Sequence, residues 1–116
     1  ERLRDRIHEQ FIDGSFDEPI ALVAEGNLYK DNTRQGIGWH GDAERKLVIG
    51  VRLGGSMRLK FAWFHRSMPL SSSHEVILNH GDIYVMSNKA VGSDWQCRSL
   101  QTVRHCAGGN AYTQDK

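Results

Sequence analysis

From residue 20 onward this chain holds no helical hydrophobic period long enough to make a crossover helix, and that limits its fold more than any other feature. Short runs rich in β-branched and aromatic residues alternate instead with Gly, Asn, Asp and Ser. They cover residues 21–29, 37–40, 46–53, 57–64, 75–78, 82–86 and 100–105, and one more strand is expected from Ala111. Parallel pairing needs a connection of a dozen or more residues, usually a helix. With none present, the strands must pair mainly antiparallel in two facing sheets, a mainly β fold of jelly-roll type. Ahead of them, Leu3, Ile7 and Phe11 recur every four residues with charges between, which predicts a short amphipathic N-terminal helix ending before Asp13-Gly14. The expected organisation is one domain over 1–116, with helix and linker in 1–19 and the β core in 20–116.

Two connections stand out. Gly54-Gly55 between two strands predicts a tight hairpin, and 66–73, with one Pro and four Ser, predicts a variable surface loop. A chain of 116 residues is long enough for one hydrophobic core but not two. Its net charge of +1 supplies no bulk attraction for nucleic acid. Arg2, Arg4, Arg6, Lys30, Arg34, Arg45 and Lys46 are interspersed with acids and suit a solvated face. No apolar run approaches the roughly 20 residues needed to span a bilayer, and the charged opening 1–9 is unlike a secretory signal. The absence of a Met at position 1 suits an excised domain or a processed chain. Two cysteines, Cys97 and Cys106, are too few for a disulfide framework and suit a reducing compartment. A soluble intracellular protein of the cytoplasm or nucleus is the expectation. No G-x-S-x-G, phosphate-loop or C-x-x-C motif supports a serine hydrolase, a nucleotide binder or a zinc ribbon.

The chemistry lies in His40-Gly41-Asp42 and the distant His105. An imidazole and a carboxylate two residues apart on an extended segment point the same way. With a second imidazole from a late strand they can occupy one face of an octahedral metal ion and leave three positions open. A structural zinc site would call for four protein ligands, usually with more sulfur. Within the segment, Trp39 and Gly41 should face away from His40 and Asp42, making Trp39 a packing or rim residue and not a ligand.

Around these ligands stand Asn27-Leu28-Tyr29, Gly36-Ile37-Gly38-Trp39 leading into His40, the run 48–54 ending in glycine, Arg58-Leu59-Lys60-Phe61, and Leu78-Asn79-His80-Gly81-Asp82. In this order the set, covering about residues 20 to 106, resembles the AlkB-like family of Fe(II)/2-oxoglutarate dioxygenases. The resemblance implies a double-stranded β-helix (jelly-roll) core and Fe(II) held by His40, Asp42 and His105. It also implies 2-oxoglutarate contacted by Asn27 and Tyr29, with O2 as the second cosubstrate. Members usually place two arginines on the strand after the second His, and 106–116 contains none. Lys116 is the only cation there and is the expected anchor for the distal carboxylate; Arg98 and Arg104 are alternatives, although Arg104 should face the other side of its strand from His105.

The activity implied is oxidative demethylation of alkylated nucleic-acid bases, with single-stranded or alkylated nucleic acid as partner, no protein partner and a monomeric state. The alternatives are hydroxylation of a protein side chain or small molecule, and a non-catalytic jelly-roll binding module. Of the other histidines, His80 should shape a turn, His65 and His74 should be solvated, and His8 should lie on the polar side of the helix. Asp82 and Asp94 are candidates for orienting a ligand imidazole.

Overall fold

The computed structural model of the chain describes residues 34–115. The expected helix within 1–19, the strand 21–29 with Asn27 and Tyr29, and Lys116 lie outside the described residues. The rest is mainly β. In chain order the elements are β1 (Gly36–His40), β2 (Val48–Val51), β3 (Met57–His65), β4 (Met68–Pro69), β5 (His74–Leu78), β6 (Ile83–Met86), the single-turn helix α1 (Asn88–Val91) and β7 (Gln101–Gly108).

All pairings among these strands are antiparallel. In the larger sheet β7 lies between β1 and β3, and β5 and the two-residue β4 line the other edge of β3. Strands β2 and β6 form a separate two-stranded sheet. Residues opposite one another in an antiparallel pair share a face, so the register sorts the side chains. Leu59 opposes Ala107 and Val76, Met57 opposes Leu78, and Phe61 opposes His105. Met57, Leu59, Leu78 and Ala107 form the buried cluster on this inner face, with Phe61 and, from the second sheet, Tyr84 packed against it. The Tyr84 ring lies directly over Gly50, leaving no room there for a Cβ, which is why the glycine in the Val-Ile-Gly-Val run interrupts an otherwise strong strand sequence.

The opposite face of the large sheet carries Arg58, Lys60, Ala62 and Phe64, and residues 109–115 cross it. Lys60 Nζ donates to the Thr113 carbonyl at 2.8 Å and to Asp115 at 2.6 Å, and the Trp39 indole donates to the Gln114 carbonyl at 2.8 Å. Phe64, 1% exposed, is held between the Trp39 ring at 5.7 Å and the Arg104 guanidinium at 4.6 Å. Burial of such a ring contributes about 1.5–3 kcal/mol. Among the described residues no helix is long and apolar enough to cross a membrane.

Three local expectations change. Gly54-Gly55 is a bend between the two sheets, not a hairpin, because β2 pairs with β6 whereas β3 pairs with β7 and β5. The bend is tied to 79–82: the Gly54 N–H donates to His80 Nδ1 at 2.8 Å and Ser56 donates to Asn79 at 2.6 Å, so His80 does shape a turn. The loop 66–73 begins as a hairpin, with β4 folding back on β3 through Arg66 and Ser67 at φ 52° and 65°. Two successive positive φ values suit the right-handed twist of a two-residue hairpin, although neither residue type announces one. No strand starts at Ala111, where the Tyr112 and Thr113 N–H groups bond back to the Gly109 and Asn110 carbonyls in consecutive turns.

Cys106 is fully buried, and desolvation raises its thiol to about 11, with Asp115 adding to the shift and Lys60 and Arg58 opposing it. Cys97 is exposed. Treatment of native protein with iodoacetamide at neutral pH should therefore modify Cys97 alone, with Cys106 reacting only on unfolding. Double modification of the folded protein, read by mass spectrometry, would contradict the placement of Cys106.

Candidate metal centre

The site depends on one irregularity. Ile37 opposes Ala107 and His40 opposes His105, so β1 spends three residues where β7 spends two. Without the extra residue, strict alternation would turn Trp39 inward and His40 outward. The bulge reverses this, as bulges beside functional sites often do by re-aiming a side chain. Trp39 then packs on Phe64 on the outer face, while the His40 and His105 rings meet on the inner face with centroids 4.3 Å apart.

Asp42 follows two residues beyond His40, in the turn that leaves β1. Its N–H donates to the Val91 carbonyl at 3.0 Å, and its own carbonyl accepts from the Arg45 N–H at 3.2 Å. Val91 is fully buried at the end of α1, a helix capped by Ser87, whose hydroxyl accepts from the Ala90 N–H, and closed by Gly92. Gly41 is the hinge of the assembly. A Cβ there would collide with the Gly92 carbonyl and the Trp95 side chain, so only glycine lets the two ligands sit this close to the α1 region.

The donors converge. His40 Nε2 lies 3.4 Å from Asp42 Oδ1, His105 Nε2 lies 3.5 Å from Asp42 Oδ2, and one ligand atom from each residue falls within 4.8 Å of the others. Adjacent ligands of a six-coordinate ion with bonds of about 2.1 Å stand about 3 Å apart, so a small inward movement brings the set to bonding distance. His40 Nδ1 lies 2.7 Å from the Gly38 carbonyl, which can only accept. In the neutral ring this places the proton on Nδ1 and leaves a lone pair on Nε2 facing the Asp42 carboxylate. Two acceptors aimed at one point repel each other and are reconciled by a cation; a carbonyl fixing the far nitrogen is the usual support for a ligand imidazole. His105 is 7% exposed, and its pKa is lowered to about 4, chiefly by desolvation and then by His40, against the opposing pull of Asp42 and the Ala90 backbone. It is therefore neutral and able to ligate across the physiological range. The donor set and its tautomers fit a divalent cation.

The remaining sequence candidates separate. Asn27, Tyr29 and Lys116 fall outside the described residues. Asp82 accepts from the Asn79 N–H in the turn before β6, and Asp94 pairs with Lys89 at 2.7 Å, so neither orients a ligand ring. His65 is half-buried and His74 is exposed. Arg104 projects from β7 on the face opposite His105, and Arg98 lines a cavity there with it. The contribution of α1 went unread in the sequence, although Ser87 before Asn88-Lys89-Ala90-Val91 and Gly92 after it form a cap pair that signals a short helix.

Two outcomes follow from this arrangement. His105 has an ordinary pKa of 6.5 and a folded value of about 4, so between these values the unfolded chain binds more protons and stability falls as pH drops. Urea unfolding of metal-free protein between about pH 7 and pH 4 should show this loss, with a shallower slope in His105→Asn; equal slopes would remove His105 as its source. Gly41→Ala should destabilise the fold by about 1–3 kcal/mol through overpacking against Trp95, and an unchanged unfolding midpoint would refute that contact.

Over 94 residues, 81% of the chain, the sequence is 47% identical to an uncharacterized protein of Acanthamoeba polyphaga mimivirus. The chain spans 37% of the length of that relative. No protein-family model matches the chain, and no solved structure matches it.

Proposed function

We propose that the chain is the catalytic core of an AlkB-like Fe(II)/2-oxoglutarate-dependent dioxygenase that demethylates alkylated nucleic-acid bases. The observation that carries the reading is the bulge-directed set of His40, Asp42 and His105, two imidazoles and one carboxylate brought together by rigid strands. The alternation of β1, β2 and β3, and again of β5, β6 and β7, between two sheets supports a double-stranded β-helix, in which successive strands wind from one sheet to the other. The order of motifs along the sequence supplies the link to nucleic-acid bases.

Fe(II), bound with 2-oxoglutarate and O2, would supply oxidation of a substrate C–H bond, with decarboxylation to succinate and, from an N-methyl group, release of formaldehyde. The chain's residues set the conditions. Asp42 brings the one negative charge of the triad, the Gly38 carbonyl holds the His40 tautomer, and burial keeps His105 unprotonated. Phe61, with its ring 6.1 Å from that of His105, supplies an apolar neighbour to the site and joins it to the core cluster. Asn27 and Tyr29 are proposed to orient the cosubstrate. Lys60 and Arg104 point to the opposite face of the large sheet, where Lys60 is engaged by Asp115, so Lys116 is retained as the proposed anchor of the distal carboxylate. A monomeric intracellular protein acting on single-stranded or alkylated nucleic acid completes the proposal.

Anaerobic titration of the protein with Fe(II) and 2-oxoglutarate should produce the visible metal-to-ligand charge-transfer band of the chelate, absent in Asp42→Ala. With O2 and an N-methylated single-stranded oligonucleotide the protein should release formaldehyde with succinate. Succinate made only with another substrate would reassign the enzyme to hydroxylation, and bound metal with no band would overturn the cosubstrate assignment.

A further inference from the structure

The residues that flank His105 in β7 face away from the metal centre and build a second feature. A cavity of about 220 Å³ lies on the outer side of the sheet, lined by Arg66, Ser67, Trp95, Arg98, Thr102 and Arg104 among others, and among the described residues no carboxylate lines it. Arg104 forms its floor. Its residue is 8% exposed, with the guanidinium 4.6 Å from the Phe64 ring centroid and 5.1 Å from that of Trp95. Nη2 donates to Ser67 Oγ at 3.2 Å, and Nε is buried with no hydrogen-bond partner. Among the described residues no acid pairs with Arg104, Arg66 or Arg98.

Arginine is almost never buried to this extent without a counter-charge, because the cost of desolvation must be met by an anion and by saturated donors. Stacking on two aromatic rings offsets part of that cost and fixes the plane of the fork, but it leaves the Nε donor unused. Two more guanidinium groups stand at the rim on exposed residues, and the hydroxyls of Ser67 and Thr102 add neutral donors. Planar forks of this kind match the paired oxygens of a phosphate group. The volume is several times the roughly 30 Å³ share of one water, enough for a polyatomic group.

We propose that this cavity is a binding site for a phosphate group, carried either as a terminal phosphomonoester or as a phosphodiester of a nucleic-acid strand. It is separate from the metal centre, since it opens on the other face of β7. It nevertheless shares a wall with that centre, because Trp95 lines the cavity and packs against Gly41 between two of the metal ligands.

The test is calorimetric titration of the whole chain, in chloride buffer, with inorganic phosphate, a nucleoside 5′-monophosphate and a short single-stranded oligonucleotide lacking terminal phosphates. Saturable phosphate binding is expected, weakened roughly tenfold by each of Arg66→Gln and Arg98→Gln, the loss of one charge-assisted hydrogen bond. Both residues are exposed, so these variants remain informative if Arg104→Gln fails to fold. Competition by the oligonucleotide would assign the site to a phosphodiester, and competition by the monophosphate alone to a phosphomonoester. Phosphate binding should persist in Asp42→Ala, which separates this site from the fate of the metal centre. No saturable binding, or equal binding in the wild type and both rim variants, would overturn the proposal.

Discussion

The pairing of β1 with β7, and the one extra residue that β1 carries within it, governs the rest of this structure. Alternation in a strand is strict, so the single insertion between Ile37 and His40 reverses the face of everything that follows. It turns His40 inward to meet His105 and sends Trp39 outward to cover Phe64. The same step brings the Gly38 carbonyl within reach of the imidazole that it orients. The convergence of the two imidazoles and the outer-face packing of Trp39 are thus two results of one backbone irregularity.

Strand β7 carries opposite chemistry on its two faces. His105 and Ala107 look into the space between the sheets, among apolar neighbours that keep the imidazole neutral. Thr102, Arg104 and Cys106 look out, where Arg104 is stacked between aromatic rings and the thiol of Cys106 is held well above its ordinary range. The two faces communicate mechanically at Gly41. The absence of a side chain there lets Trp95 and the Gly92 carbonyl close on the backbone between His40 and Asp42. A shift of Trp95 would be felt by the ligand turn directly, because packed interiors transmit displacement and do not absorb it.

Much of the β architecture was legible in the residues. The runs at 37–40, 57–64, 75–78, 82–86 and 100–105 correspond to β1, β3, β5, β6 and β7 within a few positions, because β-branched and aromatic residues bounded by turn formers leave the chain few choices. The pairing of His40 with Asp42 was legible too, since two residues apart on an extended segment is a short-range relation, whereas the approach of His105, 65 residues away, came from the β1–β7 register. What escaped was relational. Gly54-Gly55 looks the same in a hairpin and in a bend between sheets, and only the partner of each strand distinguishes them. The hairpin at Arg66-Ser67 places ordinary L-residues at positive φ, a conformation imposed by pairing to β3 and absent from their propensities.

By itself, then, the sequence determined that the chain is mainly β and that its strands are short, because these follow from composition and period, and it singled out His40, Asp42 and His105 as candidate ligands. Tertiary structure decided which face each of those residues occupies, how β7 divides the His-Asp-His cluster from an arginine-lined cavity, and why Gly41 must lack a side chain. Those outcomes depend on the register between strands far apart in the chain. A bulge of one residue, undetectable as a local preference, is enough to reverse them.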